Sequence, residues 1–175
     1  LSFDVAMHQL GGHTIYLSQS EVGLGKREPV ADVARVLSRY VNGLAVRTFS
    51  QAAIEELASY ASIPVINALT DKEHPCQALA DLLTIVEKKA SLRGLNITFV
   101  GNGNNVAHSL MLASALVGAN FRIAFPEGYA PQAEIVAQAR ALAAKSGAEI
   151  GLIHGPQAAV AGADVVYTDV WTSMG

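Results

Sequence analysis

Short apolar runs alternate along this chain with longer segments in which apolar residues recur every three or four positions. This pattern predicts strands at residues 13–17, 43–46, 64–67, 96–100, 120–125, 149–153 and 164–167. It predicts helices at residues 1–11, 29–40, 51–60, 75–89, 106–117, 131–145 and 157–161. Near-continuous apolar strands are typical of parallel sheets covered by helices on both faces. The chain is therefore predicted to be an α/β protein with two parallel-sheet units.

A polar segment at residues 88–94 interrupts the alternation, which then restarts more regularly. We place a domain boundary there, giving one domain over residues 1–90 and a second over residues 91–175. Because the chain begins at Leu1 and stops at Gly175 just after a predicted strand, we expect it to be a fragment of a longer protein.

Composition excludes several classes of function. Charged residues make up 15% of the chain, against roughly 25% in an average soluble domain. We therefore expect either that most of the chain is interior or that another subunit covers part of its surface. The net charge is −3 without a basic block, which argues against nucleic-acid binding. No apolar run approaches the ~20 residues that span a bilayer. A single cysteine, Cys76, and the lack of a signal-peptide pattern lead us to expect a cytoplasmic protein.

Polar side chains follow the predicted strands at four places. Ligands of parallel sheets bind beyond the carboxyl ends of the strands, so these places are candidate site segments. They are Arg47, residues 70–77, residues 101–105 and residues 169–175. The guanidinium group of an arginine at a strand end can donate hydrogen bonds to a phosphate or a carbonyl oxygen. A single arginine is, however, more often a surface ion-pair residue.

The second segment places His74 at the start of a helix, with Pro75 in its first turn and Gln77 three residues after the histidine. Free backbone N–H groups at a helix N-terminus favour an anion or a carbonyl oxygen, and the two side chains can converge on one small ligand. The alternative is that His74 merely caps the helix. A metal site is disfavoured, because His74 and Cys76 have no obvious partner ligands.

The third segment, Gly101-Asn102-Gly103-Asn104-Asn105, resembles a dinucleotide-binding turn only in part. Val106 replaces the third glycine, and no acidic residue ends the next strand, so an NAD-dependent dehydrogenase is disfavoured. The paired asparagines suggest a zwitterionic small molecule instead, with a structural role in the turn as the alternative.

The fourth segment offers Asp169 and, four residues later, Ser173. Together they can bind a cationic amine. The alternative is a purely structural role, in which the Asp–Ser pair forms a turn.

Four motifs in this order resemble the aspartate/ornithine carbamoyltransferase family, and specifically its ornithine enzymes. His74-Pro75-Cys76-Gln77 is similar to the family's His-Pro-x-Gln signature, and the others are Arg47-Thr48, the Gly-x-Gly-Asn-Asn turn and Asp169-Val170-Trp171-Thr172-Ser173-Met174-Gly175. The resemblance covers essentially the whole chain. It implies two Rossmann-like parallel-sheet domains, both truncated, of which the first binds carbamoyl phosphate and the second ornithine.

The resemblance also implies roles for particular residues. Arg47, His74 and Gln77 would hold the carbamoyl group of carbamoyl phosphate. Ornithine would be bound by Asn105, Asp169, Ser173 and Met174, with Asn105 preferred to Asn104 as the direct ligand. No metal and no organic cofactor is expected, and the partners would be the two substrates and the other subunits of a homotrimer, with no nucleic acid and no membrane.

The family's phosphate-binding Ser-Thr-Arg-Thr segment and its His-Cys-Leu-Pro loop fall outside these 175 residues, so the chain is expected to be inactive alone. Gly23 stands where relatives more often have a polar residue that reaches the neighbouring subunit. The alternatives are enzymes for aspartate, putrescine or N-acetylornithine, and a non-catalytic scaffold of the same fold. Asp169 with Ser173 favours an acceptor that has a free α-amino acid group.

Overall fold

The computed structural model describes residues 1–25 and 27–170, in which helices and strands alternate. The helices are α1 (Ser2–Gln9), α2 (Gln19–Val22), α3 (Val30–Leu37), α4 (Gln51–Tyr60), α5 (Pro75–Lys89), α6 (Asn105–Val117), α7 (Ala133–Ser146) and α8 (Pro156–Val160). The strands are β1 (Leu44–Arg47), β2 (Val65–Leu69), β3 (Asn96–Val100), β4 (Asn120–Ala124), β5 (Ile150–Ile153) and β6 (Val165–Tyr167). The predicted α/β class is confirmed. Within the described residues, no helix has both the length and the apolar character needed to cross a bilayer.

The chain divides into two compact units, Leu1–Asn67 and Ala68–Gly175. The second unit begins before α5 because this helix packs its buried side chains, Ala78, Leu82 and Ile85, into the same core as β3 and α6. The domain boundary predicted between residues 90 and 91 stays a prediction.

The first unit packs α3 against α4 beside the two-stranded sheet of β1 and β2. Its small core is made by Val30, Val33, Ala34 and Leu57. Ser50 begins α4 as expected from its residue type, since its side chain accepts a hydrogen bond from the backbone N–H of Ala53 at 3.2 Å.

The strand predicted at residues 13–17 is wrong. These residues form no ladder with any strand in the described part of the chain, and the side chains of Ile15 and Tyr16 are 64% and 88% exposed. A β-branched run becomes a strand only when a neighbouring strand satisfies its backbone, and this segment has no such neighbour among the described residues.

The second unit is built on a parallel sheet with the strand order β5-β4-β3-β6. The central strand, β3, pairs with β4 from Asn96 opposite Asn120, and with β6 from Ile97 opposite Val165. Helix α6 contacts both α5 and α7 and is buried along most of its length. Because β3 and β6 run in parallel, the loops that follow them leave the sheet at the same edge, where Asn105 and Asp169 lie.

We expect Phe99→Ala to lower the free energy of unfolding by about 3–5 kcal/mol, because Phe99 is fully buried in the central strand and stacks on Tyr167 with 5.5 Å between ring centroids. Denaturant titration of the complete protein measures the change. Val166→Ala, in the neighbouring strand at a position 58% exposed, serves as the control and is expected to cost less than about 1 kcal/mol. Equal losses in the two variants would contradict the assignment of the core.

Candidate active site

A tight loop of residues 70–74, which we call the His74 loop, connects β2 to α5. It closes on itself, because the backbone N–H of Thr70 donates to the carbonyl of Glu73 at 2.8 Å and the N–H of Glu73 donates to Thr70 Oγ1 at 3.0 Å. The loop delivers His74 to the N-cap position of α5, and Pro75 occupies the first turn. A proline there costs no helix hydrogen bond, because the first N–H groups of a helix have no partner within it.

His74 occupies the N-cap position, but its side chain makes no capping hydrogen bond to α5, and its role as a carbamoyl ligand stays a prediction. The backbone of His74 is instead tied to the next helix of the unit. Its N–H donates to Ser109 Oγ of α6 at 2.8 Å. This hydrogen bond holds the backbone of His74 in place, and the imidazole ring does not cap the helix.

Two further residues of α6 bind the His74 loop. Asn105 Nδ2 donates to the carbonyl of Thr70 at 2.7 Å, and His108 Nδ1 lies 2.9 Å from the carbonyl of Lys72. Lys72 also reaches away from α6, with its Nζ 2.6 Å from Glu134 Oε1 of α7. With a longer contact of 3.4 Å from Ser109 Oγ to Glu73 Oε2, α6 bonds to Thr70, Lys72, Glu73 and His74 of the loop, and α7 bonds to Lys72.

His108 is buried and uses both ring nitrogens. Its Nε2 accepts a hydrogen bond from the backbone N–H of Gln132 at 3.1 Å, so Nε2 carries no proton and Nδ1 must donate to the carbonyl of Lys72. Burial lowers the pKa of His108, and the hydrogen bond to Lys72 opposes this only in part. The neutral ring thus bridges the His74 loop and the start of α7.

Sequence reasoning missed His108 and Ser109, because both lie within the apolar run of α6 and were counted as part of a core helix. The signal was present, since two adjacent polar residues one helical turn after a candidate ligand turn need hydrogen-bond partners if they are buried.

Asn104 and Asn105 have different partners in the structure. Asn104 caps α6, with its Oδ1 accepting from the N–H groups of Val106 and Ala107 at 3.1 Å each, and its Nδ2 donates to Asp169 Oδ2 at 2.8 Å. The structural alternative for Asn104 is therefore correct, but the same side chain also brings Asp169 to the beginning of α6. The choice of Asn105 as the direct ornithine ligand stays a prediction.

Gly103 is required by packing. A Cβ atom at this position would lie 2.1 Å from the nitrogen of Pro131 and 2.6 Å from the carbonyl carbon of Ala130. The close approach is between two segments of backbone, which accounts for a glycine here without a dinucleotide phosphate.

Gln77 lies in the first turn of α5, and its Nε2 donates to Asp81 Oδ1 one turn later at 2.9 Å. The hydroxyl of Tyr167, at the end of β6, lies close to both side chains. Burial, together with the carboxylates of Asp81 and Asp169, raises the pKa of Tyr167 to about 12, so its hydroxyl stays protonated at neutral pH. Tyr167 thus interacts with the Gln77–Asp81 pair and, through electrostatics alone, with Asp169.

The other predicted site residues are distributed differently. Arg47 ends β1 in the first unit with an exposed side chain, and its approach to His74 stays a prediction. Ser173 and Met174 lie outside the described residues. Within residues 1–25 and 27–170, no group of three histidine, cysteine, aspartate or glutamate side chains is arranged to hold a metal ion.

Comparison of the chain with known protein families identifies the family to which it belongs. Residues 1–87 match the family profile described as the carbamoyl-phosphate binding domain of aspartate/ornithine carbamoyltransferase, and residues 93–175 match the profile of its aspartate/ornithine binding domain. The chain belongs to the aspartate/ornithine carbamoyltransferase family.

Its relatives are named for ornithine. The chain is 55% identical over 175 residues to the ornithine carbamoyltransferase of Anoxybacillus flavithermus and 57% identical to that of Gloeobacter violaceus, covering all of this chain and 56% of each relative. A solved ornithine carbamoyltransferase from Pyrococcus furiosus superposes with a TM-score of 0.96 at 51% identity, covering 99% of this chain and 55% of that one. The solved Gloeobacter violaceus enzyme gives 0.89 at 54% identity, covering 98% and 56%. The chain thus spans about half the length of these relatives.

We expect Gly103→Ala to lower the free energy of unfolding by about 3 kcal/mol, because the added methyl group meets backbone that cannot rotate away. Chemical denaturation of the complete protein measures the loss. The control is Gly43→Ala, where the nearest atom to the new Cβ, Pro64 O, is 3.6 Å away and the expected change is about 0.5 kcal/mol. A Gly103→Ala protein as stable as the control would refute the close approach.

We also expect stability to depend on pH through His108. Burial lowers its folded-state pKa below the ordinary value of 6.5, so the unfolded chain binds the proton more readily. The free energy of unfolding is then fully retained above pH 6.5 and falls as the pH drops below it, by up to about 1.4 kcal/mol per pH unit. Thermal unfolding between about pH 7.5 and about pH 5.5 should show a steeper loss in the wild type than in His108→Asn.

The exposed histidine His154 provides the control for this measurement, since His154→Asn should keep the wild-type pH dependence. An unchanged pH dependence in His108→Asn would mean that His108 is not the group whose protonation destabilises the fold.

Proposed function

We propose that the complete protein transfers the carbamoyl group of carbamoyl phosphate to the side-chain amine of L-ornithine, giving L-citrulline and phosphate. One observation carries the proposal: α6, which begins with the candidate ornithine ligand Asn105, hydrogen-bonds directly to the loop that carries the candidate carbamoyl ligand His74. Candidate residues for both substrates therefore belong to one hydrogen-bonded structure. Membership of the carbamoyltransferase family and the names of the relatives support the same reaction.

On the donor side, we assign Arg47 and His74 to the carbonyl oxygen of the carbamoyl group. Both can donate hydrogen bonds, which polarise the carbonyl carbon and stabilise the negative charge that develops on its oxygen. Gln77 is assigned to the carbamoyl NH₂ group. Donors at one end of the group and an acceptor at the other would fix which face the amine attacks.

On the acceptor side, we assign Asn105, Asp169, Ser173 and Met174 to the α-amino and α-carboxylate groups of ornithine. Asp169 supplies the negative charge that a cationic α-amino group needs. Its carboxylate is oriented by Asn104, which is itself fixed as the N-cap of α6. Met174 would act through its backbone.

The reaction needs only bond rearrangements between the two substrates. The deprotonated side-chain amine attacks the carbamoyl carbon and forms a C–N bond. The bond between that carbon and the bridging oxygen breaks, so phosphate leaves with the bridging oxygen, and the phosphate takes the one proton that the attacking nitrogen must lose. A primary amine of this type has a free pKa near about 10.4, so exclusion of water from the site is needed to give a useful neutral fraction. Catalysis then consists mainly of positioning and electrostatic stabilisation.

Alternative acceptors within the family are less consistent with the residues. Putrescine has no α-carboxylate and N-acetylornithine has no free α-amino group, so neither would use Asp169 together with the segment around Ser173. The paired Asn104 and Asn105 and the segment after Asp169 also differ from what we expect of an enzyme for aspartate.

The finer assignments extend the same proposal. We propose a cytoplasmic homotrimer acting in arginine biosynthesis, and the low charge content, which leaves apolar surface for subunit contacts, supports the oligomer. Exposed apolar side chains such as Leu10, Tyr16 and Tyr40 are consistent with further contacts of the first unit.

We expect the complete protein to form citrulline from carbamoyl phosphate and ornithine, and no product from aspartate or putrescine. Because His74 would stabilise the developing charge, His74→Ala should lower kcat by roughly a hundredfold or more. Asp169→Ala should instead act mainly on the KM for ornithine, because it removes a binding charge. A colorimetric citrulline assay, with phosphate release measured in parallel for the other acceptors, gives both constants.

His154→Ala, an exposed histidine remote in sequence from the site segments, is the matched control and should keep wild-type rates. Turnover of aspartate or putrescine in place of ornithine would reassign the acceptor. Absence of product from every acceptor would contradict the proposed reaction.

A further inference from the structure

Asp81 is a carboxylate that the proposed reaction does not use, yet it contacts a residue that the reaction depends on. It lies one turn after Gln77 on α5 and accepts a hydrogen bond from Gln77 Nε2 at 2.9 Å. Its other oxygen, Oδ2, is shielded from solvent. Asp81 is therefore partly withdrawn from solvent while Oδ1 holds the Gln77 amide.

The contact determines which way round the Gln77 amide lies. A carboxylate only accepts hydrogen bonds, so it binds the NH₂ end of a glutamine and repels the oxygen end. If the amide turned over, Gln77 Oε1 would face Asp81 Oδ1, and two acceptors would meet. Asp81 therefore favours one of the two orientations that a glutamine amide can adopt.

Tyr167 favours the same orientation. Its hydroxyl lies near Gln77 and Asp81. A carboxylate can only accept, so the single O–H of Tyr167 is directed to Asp81 and leaves lone pairs that suit the NH₂ end of Gln77. The ring cannot easily move away, because it stacks on the buried Phe99 at 5.5 Å. The NH₂ end of Gln77 is thus directed toward protein groups, and the oxygen end is left to face the substrate.

We propose that Asp81 is a positioning residue that holds Gln77 with its Oε1 presented to the carbamoyl NH₂ group. This rests on the proposed function, in which Gln77 binds that group. The NH₂ of carbamoyl phosphate can only donate, so Gln77 must accept. A carbamoyl group has an oxygen and a nitrogen of similar size, and an inverted Gln77 would present a donor to a donor. Asp81 thereby sets the polarity by which the site distinguishes the two ends.

The test is the binding of carbamoyl phosphate and of inorganic phosphate to the complete protein, measured by titration calorimetry. Asp81→Asn keeps the shape of the side chain but lets it donate as well as accept, so the Gln77 amide is free to turn over. We expect carbamoyl phosphate to bind about tenfold more weakly to this variant. The affinity for inorganic phosphate should stay the same, since phosphate has no NH₂ group for Gln77 to bind.

Glu87→Gln is the matched control, because it removes an exposed carboxylate from the same helix, and it should bind both ligands like the wild type. Gln77→Ala provides the test of mechanism. If Asp81 acts through Gln77, adding Asp81→Asn to Gln77→Ala should cause no further loss of affinity for carbamoyl phosphate.

The outcomes separate this inference from the proposed function. Equal weakening of both ligands in Asp81→Asn, or no weakening of either, overturns the positioning role while the reaction stands. A wild type that binds carbamoyl phosphate but does not carbamoylate ornithine overturns the proposed acceptor and leaves this test valid. If Asp81→Asn does not fold, a crystal structure of the wild type with carbamoyl phosphate decides: Gln77 must keep its bond to Asp81, and a side chain rotated away from it refutes the proposal.

Discussion

The hydrogen bonds from α6 to the His74 loop are the contacts on which the candidate site depends. They join Asn105 to Thr70, His108 to Lys72 and Ser109 to His74, so three residues within little more than one helical turn hold a whole loop. Because α6 is buried between α5 and α7, it cannot shift without disturbing the core of the second unit. The hydrogen bonds to α6 therefore restrain the loop. Catalysis by positioning requires reacting groups that are restrained in this way.

The same helix shows how a core accommodates polar residues. His108 and Ser109 are almost fully buried, which is costly unless each polar atom has a partner. Both nitrogens of His108 and the hydroxyl of Ser109 meet backbone groups of loops that need partners themselves. Burial is therefore compensated on both sides, and the arrangement specifies one position for the loop that a purely apolar helix would leave undefined.

Sequence reasoning was most successful where the signal is local. The strands and helices of the second unit lie close to their predicted positions, because glycine ends, proline starts and apolar periodicity act over a few residues. It was wrong for residues 13–17, where only a pairing partner could have made a strand. Among candidate site residues it selected His74, Gln77 and Asp169, which lie in segments that follow strands. It passed over Asp81, His108 and Ser109, because the apolar periodicity around them assigned them to helices.

The chain's own pattern is thus enough to define an α/β fold, its likeness to one family of carbamoyltransferases and the segments where ligands would bind. The tertiary structure decides which side chains meet. Asn104 turns to Asp169 and Asn105 to Thr70, although the two are adjacent in sequence and chemically identical. Their partners are 65 and 35 residues away, brought to the start of α6 by the parallel register of the sheet and the packing of α5. Contacts over such separations follow from how whole elements pack, which no local pattern of residues encodes.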